Sequence, residues 1–86
     1  MTITGDSARV WWGYHVAITL GSWTVTHEDG TWRLVGTVIS QDTYRASQHP
    51  LVFAANYANG AWRRRVEWLQ IEGQTLTARL GPKESV

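Results

Sequence analysis

The chain has 86 residues, eight basic and seven acidic side chains for a net charge of +1, no cysteine, and six tryptophans. Its 43% hydrophobic and 17% charged content fits one compact domain and excludes disorder or a multidomain chain. Disulfides and thiolate zinc sites are excluded outright, and the near balance of charge excludes binding driven by bulk charge, so any contact with a polyanion has to come from a local patch. A domain this small buries a limited share of its surface, and the tryptophans stand out as the means of enlarging its core.

Residues 1–7 are short and polar and are expected to form an N-terminal tail, without the positive flank and apolar run of a secretory signal. The most apolar run, residues 10–20, is too short to span a bilayer. These features predict a cytoplasmic protein with no membrane partner. The expected β domain covers residues 8–81, and residues 82–86 are expected to fray.

Within that domain the strongest signal is strict alternation. Val10, Trp12, Tyr14, Val16, Ile18 and Leu20 share one face of an extended strand, with Trp11, Gly13, His15, Ala17 and Thr19 on the other. Gly21-Ser22 reads as a two-residue reversal, followed by alternating Trp23, Val25 and His27. Asp29-Gly30 then supplies the positive φ angles of a tight hairpin. The first turn sets Leu20 opposite Trp23, Ile18 opposite Val25 and Val16 opposite His27. The second sets His27 opposite Trp32, Val25 opposite Leu34 and Trp23 opposite Gly36. The result is a three-stranded meander over residues 10–40 with Trp12, Trp23 and Trp32 on its apolar face.

Residues 41–49 read as a polar connection ending at Pro50. Residues 50–58 suit either a short helix or a strand, and the hairpin signal Asn59-Gly60 favours the strand. That turn pairs Tyr57 with Trp62, Ala55 with Arg64, Phe53 with Val66 and Leu51 with Trp68. After Glu72-Gly73 the chain returns through Leu76, Ala78 and Leu80. Trp62, Val66 and Trp68 share one parity while Leu69 and Ile71 have the other, which predicts a strand that bends or bulges, as in small barrels. The predicted fold is all-β: a small six-stranded antiparallel barrel, or two packed three-stranded meanders over residues 10–40 and 50–80.

Nothing in the sequence spells out catalysis. His27 sits among apolar neighbours, no pair of histidines has metal-ligand spacing, no two carboxylates are compelled to face each other, and no nucleophile elbow or phosphate cradle occurs. The chain is expected to be non-catalytic, with no metal and no cofactor. The remaining constellation is Trp62-Arg63-Arg64-Arg65-Val66-Glu67-Trp68. On a strand, Arg63 and Arg65 project to one face, with Arg33 as a neighbour from the other meander, while Arg64 shares its face with Trp62 and Trp68. Trp11 lies opposite Trp12 and is the tryptophan whose burial the fold does not require. Arginines beside flat aromatics on a β surface contact phosphates and stack bases, as in small barrels that bind single-stranded nucleic acid.

The first expectation is therefore a binding module for single-stranded nucleic acid or a nucleoprotein, through Arg63, Arg64, Arg65, Arg33, Trp62, Trp68 and Trp11. The same residue types make protein–protein hot spots, so an adaptor or inhibitor acting on another protein is the second. A homo-oligomer with an aromatic small-ligand site between subunits is the third.

Overall fold

The computed structural model describes residues 2–42, 50–57 and 60–83. They form seven strands: β1 (Thr2–Gly5), β2 (Ala8–Trp12), β3 (His15–Glu28), β4 (Thr31–Gln41), β5 (Leu51–Tyr57), β6 (Gly60–Glu72) and β7 (Thr75–Lys83). Strands pair antiparallel in the order β1-β3-β2-β5-β6-β7-β4, and β4 pairs back onto β3. That last ladder closes β2 to β7 into a six-stranded barrel with β1 as an added strand. Closure explains how 86 residues avoid long open edges without disulfides. No helix is long and apolar enough to cross a membrane.

The barrel is the expected fold, but its first half is threaded differently. The reversal lies at Gly13-Tyr14, where Gly13 takes φ 63°. Trp12 pairs with His15 and Val10 with Ile18. Tyr14, expected on the apolar face, is therefore 97% exposed at the turn. The chain runs straight through Gly21-Ser22, so the pairs expected across that turn do not form. The β3–β4 ladder instead shifts register on either side of Leu20, as at a sharp bend in a barrel wall. Residues 2–5, expected as a tail, form β1, which continues the β2 ladder along the same edge of β3. Turning at Asp29-Gly30 does occur, with φ 52° and 77°, and gives the expected pairs His27 with Trp32, Val25 with Leu34 and Trp23 with Gly36.

In the second half, residues 51–57 are a strand, as preferred. Asn59 lies outside the described residues, but Tyr57 pairs with Gly60 and Ala55 with Trp62, two residues away from the expected register. An even shift changes partners and leaves faces unchanged. The bend expected in β6 is present as register shifts on both sides of Val66. It returns Leu69 and Ile71 to the interior and turns Trp68 outward, where it is 48% exposed. At the C-terminus β7 reaches Lys83, two residues into the segment expected to fray.

The core is filled by Val10, Ile18, Leu20, Val25, Leu34, Phe53 and Leu76, each fully buried, with Trp23 2% exposed. Aromatic rings continue through it by edge contacts: Trp23 meets Phe53 at 5.3 Å and Phe53 meets Trp62 at 5.7 Å. The Trp23 indole donates from Nε1 to the Ser7 carbonyl at 2.9 Å. It lies so close to Gly5 that a Cβ there would stand 2.5 Å from the ring.

Candidate anion-binding face

Alternation along β6 divides the arginine run between the two sides of the barrel wall. On β5, Leu51, Phe53 and Ala55 point into the core, leaving Val52, Ala54 and Asn56 outside. Register then sets the outer neighbours. Ala54 lies between Arg9 on β2 and Arg63 on β6, and Val52 lies between Trp11 and Arg65. Arg9, Trp11, Arg63 and Arg65 thus share one outer face across three strands. Val52 is only 8% exposed yet stands apart from the core, consistent with large side chains on either flank. Arg9 and Arg63 stand two strand spacings apart, roughly 10 Å between backbones, across the small Ala54.

The surface is hollowed where the β2–β5 ladder ends at Arg9 and Ala54. A depression of about 290 Å³ opens there, lined by Ser7, Arg9, Trp11, Ala54, Asn56 and Arg63 among others, with no carboxylate among the described residues of its lining. Arg63 is half-buried, and its Nε is buried without a hydrogen-bond partner. Among the described residues neither Arg9 nor Arg63 has an ion-pair partner.

The other expected site residues lie elsewhere. Arg64 is on the inner side, its guanidinium 4.0 Å from the Trp32 ring centroid and 5.1 Å from that of Trp62. It donates from Nη1 to the Gly81 carbonyl at 2.9 Å. Burial lowers its pKa below the ordinary guanidinium value. His27 stacks on Trp32, with centroids 4.1 Å apart and planes 7° from parallel. Trp62, half-buried, faces Trp32 at 5.6 Å. Arg64 and Trp62 are thereby members of an internal stack.

Arg33 is not a neighbour of Arg63. It pairs with Thr26 and Arg79 and borders a hollow that also contains Glu28 and Asp29. Trp68 pairs with Arg79 on this second surface, and Arg79 meets Glu67 at 3.5 Å. The expected single patch is therefore three sets: an outer face with Arg63, Arg65 and Trp11, an internal stack with Arg64 and Trp62, and a mixed-charge surface with Arg33 and Trp68. Arg9 was missed, and its signal was available only through the pairing of β2 with β5, which joins residues distant in sequence. No protein family, curated protein or solved structure matches the chain.

Proposed function

We propose that the protein is a non-catalytic binding module whose β2–β5–β6 outer face engages a phosphate-bearing polymer, with single-stranded nucleic acid as the polymer that suits it best. The observation that carries this reading is the depression flanked by Arg9 and Arg63, with no carboxylate among its described lining residues, in register with Trp11 and Arg65. The Arg9 and Arg63 guanidinium groups, without an acidic partner among the described residues, are available for bidentate phosphate contacts, and the neighbouring indole suits an unpaired base. The Arg33 surface suits a polyanion less, because Glu28 and Asp29 border it.

Salt titration of binding to an unstructured oligonucleotide tests the proposal. Three phosphate contacts on a single strand give a log–log slope of about −2, a loss of about 20-fold in affinity between roughly 50 and 200 mM salt. The double substitution Arg63→Glu/Arg65→Glu is expected to abolish binding at low salt. Absence of binding by the native protein at low salt, or binding indifferent to salt, rejects the reading.

A second reading, contact with another protein, is favoured by the row of Trp68, Arg79 and Arg33 across β6, β7 and β4, where a large aromatic is half exposed among arginines. Its test is loss of a co-purifying partner in Trp68→Ser with retention in Arg63→Glu. The reverse pattern excludes that surface.

A further inference from the structure

We infer that the depression beside Ala54 is a subsite for a single unpaired nucleotide, its phosphate held between Arg9 and Arg63 and its base set against Trp11. The inference rests on the polyanion reading and adds a specific ligand unit, a specific place and a requirement for the base.

The first observation is where the hollow lies. β2 pairs with β5 from Trp12–Leu51 to Arg9–Ala54 and no further, while β5 continues to Asn56 and Tyr57 against β6 alone. Ser7 and Asn56 thus stand at the two lips of a gap where the barrel wall has stopped pairing, and Ala8, Ala54 and Ala55 keep its floor low. A larger side chain at position 54 would fill the space between the two arginines.

The second is the chemistry of the lining. Among the described residues it has two guanidinium groups, one hydroxyl, one carboxamide and one indole, and no carboxylate. The guanidinium groups give a double fork for phosphate oxygens. Asn56 carries both a donor and an acceptor, which suits a base edge. The indole supplies the flat apolar surface on which a base stacks. At about 290 Å³ the hollow is of the size of one nucleotide.

The third is the unmet donor. Arg63 Nε is buried and has no hydrogen-bond partner. Buried donors are nearly always satisfied, and one left open on a residue that lines a hollow can be met by an acceptor that arrives with a ligand once the guanidinium turns toward it. A phosphate oxygen bridging Arg63 and Arg9 supplies it. An acidic peptide also supplies oxygen acceptors and backbone amides for the carboxamide, but its acidic side chains give the indole no aromatic face to stack on, so the nucleotide accounts for more of the lining.

The experiment compares three probes on the native protein at low salt: an oligothymidine pentamer, an abasic phosphodiester of equal length and charge, and a glutamate-rich peptide. Oligothymidine is expected to bind on the order of tenfold more tightly than the abasic chain. Trp11→Leu is expected to bring that ratio to near one while leaving abasic affinity unchanged. Ala54→Leu, which fills the space between Arg9 and Arg63, is expected to weaken both phosphodiesters, whereas Asn56→Ala, which removes the carboxamide at the base edge without touching a charge, is expected to weaken the oligothymidine selectively and serves as the second variant if Trp11→Leu does not fold. Equal binding of the two phosphodiesters overturns the nucleotide subsite and leaves the polyanion reading standing. Binding of neither overturns both. Tighter binding of the peptide than of oligothymidine overturns the nucleotide assignment in favour of an acidic protein segment.

Discussion

Arg64 shows how one guanidinium acts when strand alternation turns it inward. It lies against Trp32 and Trp62, and its Nη1 hydrogen bond to the Gly81 carbonyl ties β6 to the end of β7. Its Nε is buried and unpaired, so the arrangement carries a desolvation cost beside its gains. A cation–π contact contributes about 0.5–2 kcal/mol and a charged hydrogen bond about 1.5–3 kcal/mol, and desolvation removes part of both. Arg64→Met, which keeps an unbranched apolar stem, is expected to lower stability by about 1–2 kcal/mol in urea unfolding. A variant as stable as the native protein would show that the stack has no net worth. The downward pKa shift of Arg64 means that its charged form is disfavoured by folding, so its contribution rises with pH only on passing the folded pKa, far above neutrality. Unfolding midpoints of the native protein and Arg64→Met should therefore differ by a constant amount across the neutral range.

At the scale of elements, β1 ends in a close approach of Gly5 to the Trp23 ring, beside its ladder to β3 and the buried Ile3. With the Trp23 ring 2.5 Å from where a Gly5 Cβ would stand, Gly5→Ala forces the indole or the strand to move. The expected cost is about 2–3 kcal/mol, with a shift of tryptophan emission toward that of a more solvated indole. Gly21→Ala is the control: its nearest atom is the mobile end of the exposed Ile39 at 3.2 Å, and it should cost less than about 1 kcal/mol. Equal costs would show that the Gly5 approach is not what limits β1.

The same elements show what was legible in the sequence. Asp29-Gly30 was readable with its full register because positive φ at both positions leaves one turn geometry. The Gly13-Tyr14 turn was hidden by a cancellation. A two-residue turn exchanges odd for even positions between paired strands, and the irregularity between Val10 and Trp11 in the β2–β3 ladder exchanges them back. Val10, Ile18 and Leu20 therefore keep one parity, and the run alternates as a straight strand would. Gly21-Ser22 carried reversal chemistry but served a bend, and the chain has no local mark that separates the two. Faces were recovered better than partners, because the β5–β6 register moved by two residues and left Phe53, Ala55, Trp62 and Arg64 on the inner side. The candidate site was half legible: Trp11, Arg63 and Arg65 followed from alternation, whereas Arg9 depended on which strands meet at barrel closure.

For the whole molecule, the curvature of the barrel wall has an optical consequence. Trp32 and Trp62 stand on β4 and β6, which are separated in the sheet by β7, and their rings meet across the inside of the wall at 5.6 Å and 56°. Two indole transitions this near and this tilted couple, splitting their absorption into a pair of bands with opposite circular dichroism. The native spectrum is therefore expected to carry a couplet superimposed on the β-sheet signal. Trp62→Phe should remove it while Trp68→Phe leaves it intact, and a couplet that survives Trp62→Phe would have to arise from another pair. Because the couplet needs β4 and β6 held on the two sides of β7, its loss during unfolding reports the parting of this three-stranded part of the wall, separately from the β3–β4 ladder that closes the barrel.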